Sequence, residues 1–209
     1  MDFAHYLSLG VNCEAGFQFR RILGEDRPGF FNWNITPIYA LNDILSQDFF
    51  RIAELDQLVY DGNGNLVRDM RYGYHFHWIG DNLNSLDDGG DVYLTNHSRL
   101  NYLATKFRRT LASGSPIAFF YTLNGESNVN ELLYTKDLIK NKYKCDKFVI
   151  VALTDESTEL KCAQIADEIH IRTIKRFAPW NDATDGHVSS WDSVFREFPI
   201  SRMLRFSGY

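Results

Sequence analysis

Cysteine is sparse and scattered in this sequence. The 3 cysteines, Cys13, Cys145 and Cys162, are odd in number and form neither a CxxC pair nor a Cys/His cluster. That excludes a disulfide-stapled scaffold and leaves no structural zinc signature. Long hydrophobic runs are also missing. Stretches such as Ile117 to Tyr121 fall far short of the roughly 20 residues that span a bilayer. Positive charge is not in excess: 22 Lys+Arg against 27 Asp+Glu gives a net charge of −5. The chain therefore lacks the electrostatic footprint of a nucleic-acid binder. Its opening, MDFAHYLSLG, has neither the basic start nor the apolar run of a signal peptide. Scattered free thiols behind such an opening predict a reduced, cytoplasmic protein with no membrane or nucleic-acid partner.

What is present is an ordinary globular composition over 209 residues, 44% hydrophobic and 23% charged, which is enough for one domain with a substantial core. Aromatic residues are plentiful at 15%, a supply that serves either a core or a cleft for a peptide or sugar.

The rhythm of the chain predicts an α/β fold. His5 to Leu9 is a short β-prone run that meets Gly10. From Cys13 the spacing turns helical through Phe17, Arg20, Arg21 and Leu23, with Gly24 closing the element and Asn12 as its N-cap. An aromatic loop follows over 27–37, then a helical stretch over 38–54. DGNGN at 61–65, between Leu58-Val59-Tyr60 and Leu66-Val67, signals a hairpin. Residues 72–79 alternate strictly. Tyr72, Tyr74, Phe76 and Trp78 share one face of a strand, and His75 and His77 share the other. A helix over about 97–113 precedes continuous apolar strands at 116–123, 147–153 and 168–174. Helices are predicted between them at 128–142 and 156–166, and a last one near 190–197. Continuous apolar strands separated by helix-length segments mean a mostly parallel central sheet pairing with 5–9. The expectation is a single domain over 1–209, carrying an inserted hairpin and aromatic strand at approximately 25–96.

Cys13 sits where a strand delivers the chain into a helix start. The positive end of a helix lowers a thiol's pKa, and its free N–H groups can hold an oxyanion. The same position also suits a thiol simply packed beneath a helix, and Glu14 beside it opposes thiolate formation.

The stretch Ser8-Leu9-Gly10-Val11-Asn12-Cys13, followed by a helix ending in Phe19-Arg20-Arg21, resembles the S-L-G-x-N-C opening of an uncharacterised bacterial family described as papain-like cysteine peptidases. Pro28 to Pro37, with Phe31-Asn32-Trp33 and Thr36-Pro37, is similar to that family's P-F-D-W…T-P segment. The strand from Tyr72-Gly73 to His77 resembles its aromatic strand ending in H-D-F. Lys106 to Arg109 and the strand at 116–123 match as well, so the resemblance covers roughly the first 125 residues. It implies Cys13 as nucleophile and His77 as general base, with His75 as the substitute one pleat away. Two departures, Asn32 in place of Asp and Trp78-Ile79 in place of Asp-Phe, remove acids that could orient an imidazole.

A second arrangement competes. Asp182, Asp185 and His187 lie between the last strand and the last helix, and sites in open parallel sheets form at the carboxyl ends of strands. The layout resembles the SGNH hydrolases, although Asp185-Gly186-His187 lacks their D-x-x-H spacing. Asn12 and Asn124 are candidate oxyanion donors, and Arg21 and Trp33 candidate substrate contacts. The leading expectation is a cysteine-dependent hydrolase or acyltransferase acting on a small-molecule, peptide or glycan substrate without a cofactor. The alternatives are a carbohydrate- or nucleotide-binding module in the same cleft and, less favoured, a metal enzyme built on His75-x-His77.

Overall fold

A computed structural model describes residues 1–62, 65–80, 86, 89–123, 128–158, 163–179 and 181–201. The chain is α/β. Five strands form one sheet: β1 (His5–Ser8), β6 (Ile117–Thr122), β7 (Phe148–Asp155), β9 (Ile169–Ile174) and β8 (Ala163–Ala166), side by side in that order. The first four run parallel, as the long connections between them allow, and β8 pairs antiparallel at the edge. Every residue of β6 is buried, because both faces of the sheet are covered. On one face α1 (Glu14–Leu23) and α5 (Val188–Glu197) enclose Tyr6, Phe19, Phe120, Trp191 and Phe195. On the other, Phe119 and Tyr121 join a larger core with α2 (Ile38–Ser46), α3 (Asp91–Leu111) and α4 (Asn128–Asp137), which continues as a π-helical turn over Leu138–Lys142.

Between α1 and α3 the chain builds a second, antiparallel sheet of β2 (Asn34–Ile35), β5 (Tyr74–His77), β4 (Leu66–Asp69) and β3 (Leu58–Tyr60), in that order. Its alternation is clean. Val67, Asp69, Tyr74 and Phe76 point into the larger core, and Leu66, Arg68, His75 and His77 point the other way. The buried Asp69 carboxylate accepts from the N–H groups of Ala53, Arg71 and Tyr72, tying the turn into β5.

Several elements differ from expectation. The helix predicted over 156–166 is not seen: residues 163–166 form β8, and 159–162 lie outside the described residues. Ala- and Glu-rich composition favours a helix there, but the free edge of β9 offers a ladder that overrides local propensity. The helix from residue 38 stops at Ser46, and the chain then turns through left-handed residues Asp48, Phe49, Arg51 and Ala53. The strand expected over 72–79 is confined to Tyr74–His77, because Gly73, at φ 76°, closes a turn onto the Asp69 carbonyl. Beyond the last helix, Pro199 to Ser201 runs beside Phe3. The Phe3 N–H donates to the Pro199 carbonyl and the Ser201 N–H to the Phe3 carbonyl.

Candidate active site

The end of β1 fixes the first half of the site. The Leu9 N–H still donates to the Phe120 carbonyl, and the Ser8 N–H donates to Asn32 Oδ1 at 3.2 Å. Asn32 is buried and its Nδ2 donates to the Arg27 carbonyl at 3.1 Å, so this side chain acts as a structural bridge. The backbone then reverses sharply. Gly10 and Val11 have φ of 106° and 78°. A Cβ on Gly10 would stand 2.6 Å from Thr36 Cβ, so only glycine fits. A β-branched residue in the left-handed region, such as Val11, carries strain of about 1–3 kcal/mol, and such strain clusters at functional sites.

This turn sets Cys13 at the N-cap of α1, one residue earlier than the sequence spacing suggested. The Glu14 N–H donates to Asn12 Oδ1 at 3.1 Å. Asn12 thus caps the helix start, and the Glu14 N–H is not free for an oxyanion. The Cys13 N–H has no acceptor among the described residues and remains available, as does the Asn12 amide nitrogen.

The second half comes from β5. His77 Nε2 lies 3.9 Å from Cys13 Sγ, with 64 residues of chain between them. The two line a cavity of about 320 Å³ together with Val11, Asn12, Glu14, Ile35, Leu66, Ala178, Pro179 and Ala183. The Arg99 guanidinium donates to the His77 carbonyl at 2.8 Å. Burial, with Arg99 in support, pushes His77 below its ordinary value of 6.5. Burial pushes the Cys13 thiol above 9.0, against the lowering that a helix N-terminus alone would give. The pair therefore rests as thiol and neutral imidazole.

Glu14 forms the back of the site. It is 1% exposed, and its carboxylate accepts from the Ala178 N–H at 2.9 Å and from Trp191 Nε1–H at 2.8 Å. Gly186 packs directly on it, leaving no room for a side chain. This acid anchors Ala178, a residue of the cavity wall, and ties it to Trp191 of α5. Burial raises its pKa, partly offset by these hydrogen bonds.

The other candidates are placed elsewhere. His187 is the N-cap of α5, its Nδ1 2.7 Å from Ser190 Oγ, and it does not line the cavity. Asp185 is paired with Arg176 at the surface. Arg21 binds Asp192 and Gln18. Trp33 packs edge-on to Phe17 beneath the Arg20 guanidinium. His75 points its Nε2 at Asp61, 3.5 Å away. Asn124 and Cys162 lie outside the described residues. Cys145, by contrast with Cys13, is buried at 3% exposure. Arg99 and the anchoring role of Glu14 were not foreseen, because neither position carries a motif and each acts on a residue distant in sequence. Among the described residues no group of three or more His, Cys, Asp or Glu is placed to hold a metal ion, and no helix is long and apolar enough to cross a membrane.

A scan against protein-family models finds no match to this chain, and comparisons with curated proteins and with solved structures find no significant match either.

Proposed function

We propose that the protein is a cysteine-dependent hydrolase or acyltransferase with Cys13 as nucleophile and His77 as general base. The observation that carries this reading is the 3.9 Å approach of Sγ to Nε2 inside a largely apolar cleft at a helix N-terminus. A contact of this length in an unliganded site is close enough to tighten when substrate arrives. Sγ attacks an acyl carbon while its proton passes to His77 Nε2. The Cys13 N–H and the Asn12 amide face the developing oxyanion. As the C–N or C–O bond breaks, Nε2–H protonates the leaving group and a thioester remains on Cys13. Water, or an acceptor amine or alcohol, then attacks the thioester carbonyl and gives its proton to Nε2. The departing sulfur recovers that proton.

A neutral resting pair requires the base to act during attack rather than beforehand. Labelling with an electrophilic acyl probe at neutral pH tests this. Cys13→Ser should abolish labelling, His77→Ala should slow it about 100-fold, in the range expected for loss of a general base, and His187→Ala should leave it unchanged. Undiminished labelling of His77→Ala would remove the base from the scheme and leave a binding cleft as the better reading.

A further inference from the structure

We infer that the outer face of the antiparallel sheet is the substrate-recognition surface of the same cleft, and that Arg68 on it selects substrates carrying a carboxylate or phosphate near the scissile acyl group. This rests on the Cys13–His77 reading and names the substrate class for it. Register places the surface. Leu66 lies directly opposite His77, and both line the cavity. One pleat further, Arg68 lies opposite His75, which in turn lies opposite Ile35, a third cavity residue, while Val59 lies opposite Arg68 on its other side. Ile35, His75, Arg68 and Val59 therefore form one row across the sheet, next to the row that holds the base. Diagonal neighbours of this kind are about 7–8 Å apart, within reach of a long side chain.

The row is apolar at its ends and polar in its middle. Ile35 and Val59 are exposed, at 37% and 50%. Arg68 makes no ion pair or hydrogen bond among the described residues, and its buried Nε has no partner; nor has the buried Nδ1 of His75 beside it. Other arginines among the described residues are matched to a carboxylate, among them Arg20, Arg21, Arg51, Arg108, Arg172 and Arg176. An unmatched guanidinium next to an apolar cleft is an anion site awaiting its ligand. Asp61 reaches His75 Nε2 at 3.5 Å rather than Arg68, and its carboxylate weakens the field for an incoming anion.

The test compares two thiol probes on the full chain, N-ethylmaleimide and 3-maleimidopropionate. They share one electrophile, and only the second carries a carboxylate. Wild-type protein should prefer the anionic probe at Cys13, and Arg68→Gln should lower that preference about fivefold, the upper reach of an exposed charge pair, with Arg68→Lys retaining most of it. Asp61→Asn should raise the preference, which keeps the proposal testable if the Arg68 variants fold poorly. Arg196→Gln removes a cation on α5, which does not line the cavity, and should change nothing. An equal fall for both probes in Arg68→Gln, an equal loss in Arg196→Gln, or no preference in wild type overturns the anion subsite. Those results leave the Cys13–His77 pair standing as long as labelling still requires both residues. Labelling that survives Cys13→Ser would instead sink the underlying pair.

Discussion

The two sheets solve opposite problems. The parallel sheet is sealed on both faces at its centre, where β6 and β7 carry apolar residues almost throughout. The antiparallel sheet seals one face and leaves the other open, and the open face holds His75, His77 and Arg68. The cleft lies at the seam, where a thiol delivered by β1 meets an imidazole delivered by β5. The open face of the inserted sheet is what carries the His77 imidazole to the cleft.

The sharpest way to break this contrast is to cut into each sheet. Phe120 is fully buried and packs on Tyr6, Phe19, Trp191 and Phe195. Phe120→Ala should cost about 3–5 kcal/mol in urea unfolding, whereas Val59→Thr on the open face should stay within about 0.5 kcal/mol. Comparable losses would show that the open face is covered in solution.

The next largest effect probes the turn before the thiol. Gly10→Ala introduces a methyl group against Thr36 and forces a left-handed φ on a residue with a side chain. A loss of about 2–3 kcal/mol is expected, together with a fall in Cys13 labelling beyond that of any equally destabilised core variant. Should labelling track stability alone, the strained turn has no special part in presenting the sulfur.

Smaller again is the anchor. Glu14→Gln preserves shape but cannot accept with both terminal atoms, so one of the two donors, the Ala178 N–H or Trp191 Nε1–H, loses its partner. The expected cost is about 1–2 kcal/mol. The wall formed by Ala178, Pro179 and Ala183 should loosen, letting bulkier maleimides reach Cys13 relative to N-ethylmaleimide. An unchanged size preference would show that the loop holds itself in place.

The smallest effect is in pH dependence. His77, His5 and His170 are all depressed below 6.5 by burial. A depressed folded pKa means that the unfolded chain binds protons first. The stability these groups contribute is present above 6.5 and is lost as pH falls from there through the folded values. Cys13 labelling, which needs neutral His77, should hold through pH 6.5 and decline only below it. The Cys13 thiol is raised above 9.0, so stability should also fall as pH rises past 9.0, where the unfolded thiol ionises first. His77→Ala should remove the acidic limb of the labelling profile and flatten the acidic slope of stability.

Much of the parallel sheet was legible because β6 and β7 are written as nearly unbroken apolar runs, as strands buried on both faces are, and β9 keeps Ile169, Ile171 and Ile174 for the core. The alternation in YGYHFHW likewise showed which face His77 would occupy. The strand β8 was not legible, since a short edge strand of ordinary helix-forming residues takes its structure from the neighbour it pairs with. The meeting of Cys13 with His77 was suggested only by the resemblance, because nothing local encodes how the second sheet docks on the first. The neutral state of the pair was hidden for the same reason: it follows from burial to which residues 35, 66, 178, 179 and 183 contribute, none of which neighbours Cys13 in sequence.

The strap formed by Pro199 to Ser201 beside Phe3 bears on how this chain avoids its own kind. β1 is the outermost parallel strand, and a bare outer strand is a template on which another copy can stack. The backbone bonds between Phe3 and residues 199 and 201 occupy the approach to that margin, just before β1 begins. The strand that leads to Cys13 thus has a later segment of its own chain laid where an incoming strand would otherwise start to pair.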